Sequence, residues 1–284
     1  MEKLVKQTTI AREINYSGVA LHTGQEVNIS CLPAERNTGI VFRRIDLPGC
    51  PEIVAKPGNV VSTKRCTSIG LKDNSLSNNC VVHTIEHIMA ALWAMRIDNL
   101  IIEIDNAETP VADGSALVWL EILGQAGTVE LSLYRQIKTV SQPIFVRKNE
   151  MSLVLLPYDG FKISYTMDYD HPVIGTLFYE YEKDLNDFSK EIAAARTFGY
   201  EREVELLHRK GLALGGSLEN AVLIGEKETV NPLRFPDEFV RHKILDICGD
   251  MFLNGFIKGH IIAIKSGHYL NVELAKELAK ITSE

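Results

Sequence analysis

The chain has 284 residues, 45% of them hydrophobic and 24% charged, with a formal net charge of −7. That composition belongs to a globular protein able to bury one large core or two smaller ones, two being the better expectation at this length. The acid excess excludes a general nucleic-acid binder, which needs a basic stripe, but leaves room for an anionic small substrate held by a few local cations.

Residues 10–44 read as short alternating strands, clearest at 27–32 and 39–42, with Gly18, Gly24 and the 33–39 stretch as turns. Residues 60–70 suggest a further pair of short strands. Ser77, Asn78 and Asn79 offer capping side chains before an apolar run at 81–95, where Ile85, Ile88, Met89 and Leu92 form a helical stripe. A strand follows at 100–104. Asp113-Gly114-Ser115 then leads into a second helix with Ala116, Trp119, Leu120 and Leu123 on one face, ended by Gly124 and Gly127. Residues 131–142 read as the connection between two halves.

Strand signals resume at 144–147, 152–156 and 161–167, turned by Asn149 and Asp159-Gly160. Residues 171–197 are aromatic and partly polar, and read as an inserted element outside the core sheet. A helix at 201–210 stops at Gly211, and Gly215-Gly216-Ser217 turns the chain into the apolar 221–224. Residues 237–253 are helical, 261–264 a strand and 272–281 helical. Both halves therefore close with helix, strand, helix.

Five cysteines, odd in number and without a C-x-x-C, fit free thiols in a reducing compartment. Residues 1–8 lack an apolar signal-peptide core, and no apolar run approaches the roughly 18 residues that a span needs. A cytoplasmic protein without a transmembrane segment is expected, so any lipid must be met in a pocket.

The residues that carry chemistry lie on the penultimate helix of each half. His83-Thr84-Ile85-Glu86-His87 reads H-x-x-E-H, which on a helix would stack the two histidines and bring Glu86 beside them, a metallohydrolase signature. His242-Lys243-Ile244-Leu245-Asp246 has the i, i+4 spacing to chelate one ion from a single face, with Asp250 one turn further. Lys265-Ser266-Gly267-His268 follows the last strand. Catalytic zinc takes three protein ligands and leaves a position for water. His83, His87, His242, Asp246 and His268 all compete for those places, and spacing does not choose among them.

With Gly18-Val19-Ala20-Leu21-His22-Thr23-Gly24, Arg196-Thr197-Phe198-Gly199 and Gly215-Gly216-Ser217-Leu218 added, these motifs resemble the UDP-3-O-acyl-N-acetylglucosamine deacetylases over essentially the whole chain. The resemblance implies an α+β fold of two similar domains, each a sheet with two helices, the helices packed between the sheets. Residues 1–128 would carry Glu86 and His87. Residues 129–284 would carry His242, Asp246, His268 and an insert near 171–197 that shelters an acyl chain. It implies a monomeric zinc amidase, ferrous iron being an alternative metal in the cell, which removes acetyl from a UDP-acyl sugar in the committed step of lipid A synthesis.

By that resemblance His87, His242 and Asp246 bind the metal and Glu86 is the general base. His268 is a charged acid backed by Asp250, and Thr197 donates to the developing oxyanion. Lys243, Phe198 and His22 contact substrate, and His83 is left without a ligand role. One departure is Ala112, where the family pattern suggests a larger apolar residue. A zinc peptidase using both His83 and His87, and a non-catalytic nucleotide-sugar binder, are the rival readings. A fused dehydratase, present in some relatives, is not expected.

Overall fold

The computed structural model describes residues 4–71 and 80–281, so the capping residues expected at 77–79 lie outside it. Two five-stranded sheets dominate. From edge to edge the first runs Ile14–Val19, Glu26–Pro33, Leu100–Ile104, Ile40–Arg44 and Glu52–Val54. The second runs Ile144–Lys148, Met151–Leu156, Gly259–Ile264, Phe161–Asp168 and Thr176–Glu182. In each, the last strand of the half enters the centre, antiparallel to the second strand and parallel to the third. Side chains alternate across these strands: Val27, Ile29 and Cys31 are buried, as are Leu100, Ile102 and Ile104, and on the other sheet Ile163, Tyr165 and Met167.

Among the described residues six helices accompany the sheets: α1 Glu86–Ala94, α2 Leu117–Ala126, α3 Phe188–Glu191, α4 Glu201–Arg209, α5 Glu238–Met251 and α6 His268–Ile281. α1 and α5 precede the central strands of their sheets, and α2 and α6 follow them. These four pack on one another and on the sheets, giving the α+β arrangement of two similar halves. α1 is buried at every residue from Glu86 to Trp93, so its expected single apolar stripe is in fact a helix enclosed all round. Gly249 on α5 makes the closest crossing possible, because a Cβ there would stand 2.1 Å from the Glu86 carbonyl oxygen. Among the described residues no helix is long and apolar enough to cross a membrane.

Three expectations need correction. Residues 131–142 do join the halves, but not as plain linker. Thr128–Tyr134 pairs with Lys6–Ile10, and Ile137–Lys138 pairs with Phe256–Ile257. Thr128–Tyr134 is exposed at nearly every residue, so no alternation announces it. Residues 171–197 are not outside the core sheet, since Thr176–Glu182 forms its edge strand against Phe161–Asp168. Its outward Phe178, 60% exposed, blurs the pattern that buried Tyr181 would otherwise reveal. The projecting unit lies just beyond. Phe198–Tyr200 and Val222–Ile224 pair in parallel, with α4 crossing between them.

The third correction concerns His83. Val81–Val82 is a strand and α1 begins only at Glu86, so His83 is not on the helix beneath His87. Between them Thr84 takes φ 59°, a left-handed conformation that costs a β-branched residue. The kink is held by the Thr84 hydroxyl donating to Glu108 Oε1 at 3.0 Å and by the Thr109 hydroxyl donating to the Thr84 carbonyl.

Candidate active site

The Thr84 kink aims the first turn of α1 at the middle of α5. There His87, His242 and Asp246, all buried, place one ligand atom each within 4.8 Å of the others. The two imidazoles meet edge to face with centroids 5.2 Å apart. His242 Nδ1 donates to the Ala195 carbonyl at 3.0 Å, which leaves Nε2 with its lone pair toward the cluster. The Ala195 carbonyl is itself fixed by a buried ion pair. Glu238, on the first turn of α5, accepts from the Arg196 backbone N–H and from its Nε, each at 2.9 Å.

Asp246 supplies the test of whether these residues suit a metal. Its Oδ2 accepts from Lys243 Nζ at 2.7 Å, but its Oδ1 is buried with no hydrogen-bond partner. A buried carboxylate oxygen without a donor is costly, and a cation is what would satisfy it. Burial drives His87 down to about 3, helped by neighbouring His242, and it lowers His242 as well, so both imidazoles are neutral. Asp246 stays anionic: burial opposes its charge, but Lys243, with the charged His268 beside it, prevails. Two neutral nitrogens and one carboxylate are a donor set for a divalent ion. His83 is elsewhere, with Nδ1 2.8 Å from Ser68 Oγ.

Glu86 and His268 face each other beside this cluster, His268 Nε2 lying 3.9 Å from Glu86 Oε1. Burial pushes Glu86 up to about 8, with Asp250 and Asp246 adding to the rise and His268 opposing it. Burial alone would lower His268, yet Asp246, Asp250 and Glu86 together outweigh it and hold its pKa at about 9. His268 Nδ1 donates to Asp250 Oδ2 at 3.0 Å, which turns Nε2–H toward the site.

A cavity of about 290 Å³ is lined by Glu86, His87, Thr197, Phe198, His242, Lys243, Asp246 and His268, together with Leu21, Arg65, Thr84 and Tyr169. Lys243 Nζ lies 5.3 Å from the Phe198 ring centroid. A second cavity of about 270 Å³ adjoins it, sharing Leu21, Arg65, Thr197 and Phe198 and running under α4 past Val204 and Leu207. His22 lines that second cavity, with both ring nitrogens buried and without a partner. Every site residue expected from the sequence except Asp250 thus lines one or other cavity, and Asp250 stands behind His268. Ala112 is half-buried at φ 52°.

The other motifs brace this geometry. The Thr197 N–H donates to the Gly114 carbonyl at 2.8 Å, and Asp113 Oδ2 accepts from Arg234 Nη1 at 2.6 Å. The Gly215 N–H donates to the Leu21 carbonyl at 3.0 Å. A family model described as UDP-3-O-acyl N-acetylglycosamine deacetylase matches residues 7–280. The chain belongs to this deacetylase family. Relatives named UDP-3-O-acyl-N-acetylglucosamine deacetylase include one from Citrifermentans bemidjiense, 44% identical over 280 residues that cover 98% of this chain and 90% of the relative. Others are from Pseudoalteromonas translucida, 41% identical over 97% of this chain and 91% of the relative, and Nitratidesulfovibrio vulgaris, 42% identical over 94% and 85%.

For a member of this deacetylase family, several site residues gave no sequence signal. Arg65 and Tyr169 line the cavity and Thr67 bonds Glu86 from behind it, yet all three lie in no spaced motif and reach the site only through tertiary contacts. The Ala195 carbonyl is a backbone atom, which no side-chain pattern reports.

Proposed function

We propose that the chain removes the acetyl group from the 2-amino nitrogen of UDP-3-O-(3-hydroxyacyl)-N-acetylglucosamine, the committed step of lipid A biosynthesis. His87, His242 and Asp246 would hold the metal, zinc or in the cell ferrous iron. When bound, such an ion supplies Lewis-acid activation of water and of the amide carbonyl.

Glu86 takes the proton from the water that adds to the amide carbon. Removing a positioned base of this kind costs about 10²- to 10⁴-fold in rate. The Thr197 hydroxyl donates to the carbonyl oxygen as it gains charge, and one such donor is typically worth about 3 kcal/mol of barrier. The amine leaves poorly unless protonated, and His268 hands it the Nε2 proton while Asp250 steadies the imidazolium. Lys243, Phe198 and His22 contact substrate. The cavity under α4 shelters the acyl chain, which in water would cost about 0.8 kcal/mol for each exposed methylene. Units 1–128 and 129–284, a monomeric state and a cytoplasmic location are proposed with it.

The observation that carries this reading is the orphaned Asp246 Oδ1 beside which the Glu86 carboxyl and the Asp250-bound His268 face each other. Glu86→Ala should retain one metal ion per chain yet lose most acetate release from the defined UDP-acyl sugar. Undiminished acetate release in that variant ends the assignment of Glu86. The peptidase alternative finds no support in the geometry, because His83 bonds Ser68 rather than joining the cluster.

A further inference from the structure

Thr67 lies in the turn between the short strands Val60–Ser62 and Ser68–Gly70 and is completely buried. All three of its polar groups are engaged. Its carbonyl accepts from the Ile85 N–H at 3.3 Å, which pins it to the start of α1. Its N–H donates to Glu86 Oε2 at 3.0 Å. Its hydroxyl donates to Asp250 Oδ1, across 183 positions of sequence.

The consequences are geometric. With Oε2 of Glu86 taken, Oε1 is the oxygen turned to His268. With Oδ1 of Asp250 taken, only Oδ2 remains for His268 Nδ1 at 3.0 Å and for Asn271 Nδ2 at 2.9 Å. The hydroxyl gives its single hydrogen to Asp250, and its oxygen also lies 3.4 Å from His268 Nδ1, whose N–H makes the shorter bond, 3.0 Å, to Oδ2. Removing that hydrogen strands a buried carboxylate oxygen and frees the carboxylate to turn away from His268.

We propose that Thr67 is a positioning residue that keeps the proton acceptor of the first half in register with the proton donor of the second, its N–H holding Glu86 and its hydroxyl holding Asp250 and thereby His268. The proposal rests on the assignment of Glu86 as base and His268 as acid. A residue that only filled space would need neither donor.

Thr67→Val keeps the shape and the backbone N–H and removes the hydroxyl alone, and Thr67→Ser restores it. In the metal-loaded enzyme acting on the UDP-acyl sugar, Thr67→Val should lower kcat about 10- to 100-fold with KM within about twofold and metal content unchanged. Thr67→Ser should return to within about threefold of the starting kcat, and the His268 Nδ1–H proton resonance should move in the Val variant and return in the Ser variant. Placed in an Asp250→Asn background, Thr67→Val should cost little more, because both changes break one chain of contacts. An unchanged kcat in Thr67→Val, failure of Ser to recover it, or losses that multiply in the double variant would each overturn the proposal. Glu86→Ala and His268→Ala are measured alongside. If those two retain full turnover, the underlying reading fails, and it does so independently of any result at Thr67.

Discussion

α1 and α5 occupy equivalent places, each crossing ahead of the central strand of its own sheet, yet they present their chemistry in different ways. α5 is regular through the site, and His242 and Asp246 come together because they are one turn apart on a single face, His242 Nε2 lying 3.4 Å from Asp246 Oδ1. α1 offers its two residues from its first turn, after a left-handed Thr84 that two hydrogen bonds, to Glu108 and from Thr109, hold in place. The outward sheet faces differ too. Arg43 pairs with Glu52 and Glu103 on the first; the second carries a similar cluster, Lys162 with Glu180 and Glu182, but also exposes Phe145 and Phe178. A repeated scaffold fixes where helices start and cross; local backbone and partner side chains decide what each one delivers.

The most damaging single change to this division of labour is on the regular helix. Asp246→Ala should abolish stoichiometric metal binding and lower turnover by at least about 10³-fold, since Lewis-acid assistance is worth several kcal/mol. Metal analysis and acetate release measure the two losses together. Next in size is the crossing itself. Gly249→Ala puts a Cβ against the Glu86 carbonyl and should cost about 1–3 kcal/mol of stability by denaturant unfolding, with a fall in kcat as α1 is pushed back. Leu207→Trp narrows the cavity under α4 and should raise KM for a long-acyl substrate about tenfold, leaving a short-acyl analogue little affected. Smallest is the control. Gly124→Ala, in α2 with nothing near its missing Cβ, should add about 0.5–1 kcal/mol and leave activity alone. Equal effects at Gly249 and Gly124 would erase the special status given to the α1–α5 crossing.

These residues also show where the sequence could be read and where it could not. His242 and Asp246 were legible because an unbroken helix turns a spacing of four into proximity. His83 and His87 have the same spacing, but Thr84 at φ 59° breaks the rule between them, and nothing in the residue type threonine signals that. The sheets were legible where one face is buried and the other wet, as at Glu26–Pro33. They were missed where outward aromatics or an exposed strand removed the contrast, as at Thr176–Glu182 and Thr128–Tyr134. Thr67 could not be found at all, because its partners Glu86 and Asp250 are joined to it only by folding.

The most direct test is the metal content of four purified single variants, His83→Ala, His87→Ala, His242→Ala and Asp246→Ala, measured under one loading protocol. The expected result is about one ion per chain in His83→Ala, which loses only a hydrogen bond to Ser68 worth about 1 kcal/mol, and little or none in the other three. Loss of the ion from His83→Ala with its retention in Asp246→Ala would contradict a site shared between the start of α1 and the middle of α5.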